Sequence, residues 1–198
     1  MRTEIVVFDG FDELDAFGPL EVLATAGFDV ELVTADRPGP VRGKHGTRLE
    51  VPGVMGRPDG VVVVGGGWLD QAPQGSWAEA QGGTLPRRLA EVAATATWMA
   101  SVCTGSLLLA TAGLLTGRHA TTNHNAYREL RDFGVMVVEE RVVDDGDRIT
   151  AGALSAGLDL GLWLTERELG PEVAERVART IALPHRVTAW RPALQERH

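Results

Sequence analysis

Cys103 is the single cysteine of this 198-residue chain. It stands in "WMASVCTGSLLLATAGLL", between an apolar β-rich run and a run of helix formers. A cysteine on a strand-to-helix turn is exposed on the bend, with the free N–H groups of the new helix aimed at it. The positive end of the helix favours thiolate, so a lowered thiol pKa is expected. The N–H of Thr104, the next residue, is placed to bind an anionic oxygen or a polarised intermediate. The competing reading is a buried structural thiol, a common fate of a lone cysteine. A second donor is expected from "DGVVVVGGGW", where Gly65, Gly66 and Gly67 end another apolar strand and let backbone N–H groups approach a ligand. Trp68 closes that segment, either lining a pocket or anchoring the loop.

These groups need a scaffold that brings strand ends together. "TEIVVFDG" and "DGVVVVGGGW" read as strands buried on both faces, as in a parallel sheet. "FDVELVTA" alternates and reads as a further strand. "LDAFGPLEVLATAG" carries a helical apolar stripe with Pro19 early and Gly27 as a stop. Asp15 lies in its first turn, where an acid interacts favourably with the helix dipole, and Asp12 and Glu13 are its neighbours. "RPGPVRGKHGTRLEVPGV" is turn-rich and predicts a short hairpin excursion. A helix is expected within 85–96, a strand over "TWMASVC", and a helix from Thr104 to Ala112. Beyond them come a short strand in "GRHATTN", a helix in "NAYRELRDFG", and two β runs split by the turn signal "DDGD". Helices follow from Leu154 to Leu169 and after Pro171. The alternation predicts an α/β domain over 1–184 with a mostly parallel sheet, and a tail over 185–198 whose last residues are loosely ordered.

Composition narrows the partners. The formal net charge is −8, which disfavours nucleic acid, and no apolar run reaches membrane-spanning length. The first residues lack a signal-peptide pattern, and one cysteine permits no internal disulfide, so a cytoplasmic location is expected. His45, His119, His124, His185 and His198 show no ligand spacing, so no metal is expected. No cofactor is expected either.

"SVCTG" followed by "LLATAGLLTGR" and "ATT" resembles the nucleophile-elbow segment of the ThiJ/PfpI superfamily, which has the class I glutamine-amidotransferase-like fold. "ELDAFGPLEVL" and "ITAGALSAGLDLGLWLTEREL" fit the same pattern, and the resemblance covers about residues 3–182. It implies a flavodoxin-like three-layer sandwich, a small-molecule substrate and a homodimer. Carried over by residue, it makes Cys103 the nucleophile and Asp15 its acidic partner. Asp at this place and Thr104 after the cysteine resemble the isonitrile hydratase branch, whose members add water to an isonitrile to give an N-substituted formamide. The alternatives are a hydrolase, amidase or deglycase acting on a small carbonyl compound, and a non-enzymatic thiol sensor or ligand-binding module. One position departs from the pattern. Many relatives have His where this chain has Asn123, and His124 comes one residue late. Asn123 can hydrogen-bond but cannot act as a base, and a one-residue shift in extended chain turns a side chain to the other face.

Overall fold

Four parallel strands running through the middle of one sheet create the place where the chemistry can happen. In the computed structural model, which describes residues 1–183 and 187–192, the chain opens with β1 (Arg2–Val6), α1 (Glu13–Ala26) and β2 (Asp29–Thr34). The turn-rich excursion is an antiparallel hairpin, β3 (Gly39–Arg42) and β4 (Arg48–Val51), as its composition predicts, followed by the two-residue β5 (Gly53–Val54). Next come β6 (Gly60–Val63), α2 (Ser76–Gly82), α3 (Thr84–Ala93) and β7 (Trp98–Val102). Two residues, Cys103 and Thr104, separate β7 from the helix α4 (Gly105–Thr111). It leads to β8 (His119–Ala120), a 3-10 turn at His124–Ala126, α5 (Tyr127–Asp132) and β9 (Met136–Val137). The last elements are β10 (Val142–Asp144), β11 (Arg148–Ala151), α6 (Ala156–Leu169) and α7 (Pro171–Thr180).

The main sheet has seven strands in the order β10-β11-β7-β6-β1-β2-β5. Every pairing is parallel except β10 with β11, which are joined by the tight turn that "DDGD" predicts. From β1 the chain steps one way to β2 and the other way to β6 and β7. Right-handed crossovers then put the connecting helices on opposite faces. One layer is α1 with α6 and α7; the other is α2, α3 and α4. The fold is therefore the three-layer α/β sandwich that the strand and helix alternation predicts. The helix α2 has no counterpart in the sequence reading: its seven residues end in glycines and carry too little periodic pattern to detect.

The residues of β1, β6 and β7 explain their central position. Ile5 and Val6, Val61 to Val63, and Trp98 to Ala100 are fully buried, which only a strand covered on both faces requires. Their carboxyl ends converge on one edge of the sheet, where open α/β folds bind ligands. Close packing there depends on Gly105. A Cβ on this residue would lie 2.1 Å from the Val63 carbonyl oxygen, a backbone atom that cannot move aside. Gly105→Ala is expected to cost on the order of 3 kcal/mol, the upper end for overpacking, and to lower Tm by roughly 6–12 °C in a thermal melt.

At the opposite sheet edge, Trp190 bridges Val143 and stacks against His119 at a centroid distance of 4.7 Å. The buried Asp144 holds the same segment through Trp163 Nε1 (2.9 Å) and the Arg167 and Arg191 guanidinium groups. The loose order is expected over 191–198; of these residues Arg191 and Pro192 are described, Arg191 facing Asp144 and Trp163, and 193–198 lie outside the described residues.

Candidate functional site

The backbone of Cys103 adopts φ 55°, in the left-handed region that costs a non-glycine residue about 1–2 kcal/mol. Four hydrogen bonds of 2.8–3.1 Å hold it there. Its N–H is shared between the carbonyls of Ala151 (3.1 Å) and Gly152 (2.8 Å). Its carbonyl accepts from Thr122 Oγ1 (3.0 Å) and Ser106 Oγ (3.1 Å). A strained conformation over-determined in this way marks a functional elbow more often than a structural thiol. The residue is only 5% exposed, so the sulfur is largely withdrawn from water.

Three N–H donors surround Sγ. Asn123 Nδ2 lies 3.3 Å away, oriented because Asn123 Oδ1 accepts from the N–H of Asn125 (3.0 Å). The backbone N–H groups of Thr104 and Leu154 also point at the sulfur. Leu154 itself has φ 46°, so two strained residues face one another across the site. Leu154 escaped the sequence reading because a backbone donor leaves no residue-type signal. Its sole trace was the Gly- and Ala-rich turn of "TAGALSAG".

Asp15 projects from the first turn of α1 toward the same sulfur and is fully buried. The capping role open to it in the sequence belongs instead to Asp12, whose Oδ1 accepts from the N–H of Leu14 (3.3 Å). Asp15 Oδ2 accepts from the N–H of Gly65 (3.0 Å). Its Oδ1 has no conventional hydrogen-bond partner and lies against the Cys103 thiol. Burial, reinforced by the nearby Asp12 charge, pushes the Asp15 carboxyl up to about 8, so it is protonated at neutral pH.

Burial also pushes the Cys103 thiol up, to about 11, and the neighbouring Asp15 adds to the effect. The donors at Sγ pull the other way but do not prevail. The thiolate expected from the helix N-terminus is thus absent in the resting protein. Taking the sulfur out of water outweighs a seven-residue helix whose dipole reaches only through its first turn.

The triple glycine lies beside the elbow, and two of its three N–H donors are committed to holding the loop together. The Gly65 N–H serves Asp15, and the Gly66 N–H serves Thr104 Oγ1 (3.0 Å). Ser76 Oγ donates to the Gly66 carbonyl (2.8 Å), so the Thr104 hydroxyl gives its proton to Ser76 (3.1 Å). The Thr104 side chain therefore clamps the elbow to the glycine loop, while its backbone N–H faces the sulfur. Gly67 follows in the same turn, with φ 68°. Trp68 is 6% exposed and packs edge-on against Trp77 at 5.4 Å, an anchor for the loop.

His124 is exposed on the 3-10 turn. It lines a polar cleft of about 230 Å³ with Thr122, Tyr127, Arg141 and Gly152, of which Thr122 and Gly152 bond the Cys103 backbone, while Asn123 takes the position at the sulfur. Asp12, Glu13 and His45 cluster nearby, their ligand atoms within 4.8 Å of one another. Local bonds account for both acids: Asp12 caps α1, and Glu13 Oε1 accepts from the N–H groups of His45 and Thr47. A larger groove of about 740 Å³, lined by residues such as Leu162, Ala174, Leu183 and Val187, contains none of the groups around Cys103.

A strained cysteine after a central parallel strand, a buried acid from α1 and a glycine loop beside them form a constellation that sequence comparison recognises. A profile of the DJ-1/PfpI family matches residues 1–167. The chain belongs to the DJ-1/PfpI family. Among its relatives is an isonitrile hydratase from Pseudomonas putida, 37% identical over 188 residues, which span 89% of this chain and 76% of that protein. A deglycase from Thermococcus kodakarensis is 26% identical over 170 residues, 84% of this chain and 96% of the relative. A solved ThiJ/PfpI family protein from Pseudomonas syringae superposes with a TM-score of 0.84 at 27% identity, over 93% of this chain and 76% of that one. DJ-1/PfpI membership thus accounts for the sandwich and the elbow. Among the described residues, no helix is long and apolar enough to cross a membrane.

Proposed function

We propose that this DJ-1/PfpI protein is an isonitrile hydratase, with Cys103 as nucleophile and Asp15 as proton shuttle. The observation that carries the reading is the Asp15–Cys103 pair: a carboxyl kept neutral by burial, one oxygen held by the Gly65 N–H, set against a thiol. An isonitrile needs this combination, because its terminal carbon must gain a proton as a nucleophile bonds to it. Hydrolysis by a cysteine–histidine pair is less well supported, since Asn123 occupies the place beside the sulfur.

The steps balance with these groups alone. Asp15 passes its proton from Oδ1 to the terminal carbon while the Cys103 sulfur bonds to that carbon. The thiol proton takes the vacated place on Oδ1, leaving a thioimidate and a neutral carboxyl. Water then adds to the thioimidate carbon as the nitrogen is protonated. The tetrahedral adduct collapses, its carbon–sulfur bond breaks, and the hydroxyl proton returns to sulfur. The products are the N-substituted formamide and free Cys103. The N–H groups of Asn123, Thr104 and Leu154 stabilise negative charge on the sulfur as each carbon–sulfur bond forms or breaks.

Activity is expected to fall as pH rises through about 8, where Asp15 loses the proton it must donate. The deciding experiment is a panel of alkyl and aryl isonitriles, amides and α-ketoaldehydes, assayed with the wild type and with Cys103→Ala. Formamide production that disappears in the variant supports the reading. Turnover confined to α-ketoaldehydes or amides sinks it in favour of the deglycase or amidase alternative.

A further inference from the structure

The β3–β4 hairpin pairs with no strand of the main sheet. Its tip is stitched instead to residues 9–13, the stretch that leads into Asp15. The Gly10 N–H donates to the Arg42 carbonyl (2.8 Å), the Lys44 N–H to the Phe11 carbonyl (2.8 Å) and the Arg42 N–H to Asp9 Oδ1 (2.8 Å). Glu13 anchors the centre of this seam. Its Oε1 accepts from the N–H groups of His45 (2.8 Å) and Thr47 (3.4 Å). Burial pushes the Glu13 carboxyl up, but these donors and its own N–H prevail and hold it below its ordinary value, so it meets the tip as an anion. Its Oε2 is shut away from water with no hydrogen-bond partner, pressed under the turn. The fit is as close from the hairpin side, where a Cβ on Gly43 would lie 2.5 Å from Glu13 Oε1. On the inner side, the Asp12 N–H donates to the Gly65 carbonyl (2.9 Å) and the Gly65 N–H to Asp15 Oδ2 (3.0 Å). The stretch that carries the acid is thus held between the glycine loop and the hairpin tip.

We infer that the tip of the β3–β4 hairpin is the cover that keeps water from Asp15, and that Glu13 is the positioning residue that latches it. The effect of the latch on turnover rests on the hydratase reading; its effect on Asp15 does not. Unlatching acts on the acid in two opposite ways. Water admitted to the carboxyl favours its charged form, while withdrawal of Lys44, a cation on the tip, disfavours it. Burial is the largest influence on Asp15, larger than the Lys44 charge, so wetting wins and the acid gives up its proton at lower pH. The other charged or titratable groups acting on Asp15, Asp12 on its own turn and the Cys103 thiol on the elbow, stay in place. The helix α6, packed on the following turns, brings Leu158 against Gly18 and Gly157 against Pro19.

The test follows the Asp15 carboxyl resonance by NMR over a pH series, in protein carrying isotope-labelled aspartate, with Asp15→Asn assigning the signal by its loss. Three variants are compared with the wild type, each shown to be folded by a thermal melt. Glu13→Ala removes the latch. Gly43→Ala displaces the Glu13 carboxylate but keeps its charge, and Gly43 lies outside the left-handed region, so alanine adds no backbone strain there. Glu13→Gln removes the charge but keeps the accepting Oε1. The titration midpoint is expected to fall by about one pH unit in Glu13→Ala and in Gly43→Ala, a part of what full burial supplies, and to stay near wild type in Glu13→Gln. The upper pH limit of kcat/KM on an isonitrile should move with it, because that limit reports the free enzyme's acid. A midpoint that falls as expected while no isonitrile turns over keeps the latch and defeats the hydratase reading. Midpoints within about 0.3 unit of wild type in Glu13→Ala and Gly43→Ala overturn the latch, and so does a wild-type midpoint below about 5, the ordinary carboxylate range. An equal fall in Glu13→Ala and Glu13→Gln with none in Gly43→Ala assigns the effect to charge and overturns it too.

Discussion

Cys103→Ser is expected to abolish formamide production while the protein stays folded, its stability within about 1 kcal/mol of wild type. Serine has nearly the same shape and occupies the same strained backbone, so the four bonds that fix the elbow persist. What is lost is nucleophilicity. Already raised by burial, the thiol still yields its proton far more readily than an alcohol in the same place. Among the described residues no histidine bonds the sulfur to compensate; Asn123 stands there. Steady-state turnover and a circular-dichroism melt check both halves. Residual activity above a few per cent would remove Cys103 from the mechanism. The sensor alternative is separated by the wild type itself. If that reading holds, no substrate turns over and mild peroxide converts Cys103 to sulfinic acid, visible as two added oxygens by mass spectrometry.

Asp15→Asn is expected to cut the rate at least about a hundredfold, the usual scale of general acid–base help, and at the same time to stabilise the protein. The amide oxygen can still accept from the Gly65 N–H, so geometry is retained. The stability gain comes from linkage. Burial raises the Asp15 pKa to about 8 in the folded protein, far above its unfolded value of about 4. Between these values the unfolded chain releases a proton that the folded chain retains, so wild-type stability falls as pH rises across that window. Below about pH 4 the penalty vanishes. By pH 8 it is of the order of a few kcal/mol. Asparagine does not titrate, so the variant's Tm advantage should be small at pH 4.5 and grow steadily toward pH 8. A Tm difference that stays flat with pH would show that Asp15 is not held neutral. Activity equal to wild type would remove its role as shuttle.

The elbow was legible because its signals are local. An apolar β run, a cysteine, Thr-Gly and then helix formers lie within a dozen residues, and the strand ends at Val102 as that pattern requires. The hairpins were legible for the same reason, since Gly, Pro and Asp mark turns directly. Asp15 was not distinguishable from a first-turn acid by pattern alone; resemblance singled it out, and the structure shows the cap is Asp12. Electrostatics was the least legible property. The sign of the thiol shift depends on how completely Cys103 and Asp15 leave water, which is decided by the packing of α1 and α4 around them. Leu154 remained invisible because its contribution at the sulfur is a peptide N–H, identical in every residue but proline.

The segment around Trp190 has a consequence for how copies of this chain can meet. A bare sheet edge invites a strand from a neighbouring molecule, leading to continuous sheets across dimers or to uncontrolled polymerisation. Here Trp190 takes the hydrogen-bonding positions beside Val142 and Asp144, so that border is already occupied. At the other border, β5 is two residues long and offers almost no ladder to extend. The two borders of the main sheet are thereby poor sites for assembly through shared strands, which leaves specific pairing to helices, loops and the β3–β4 hairpin, where shape and charge can select the partner.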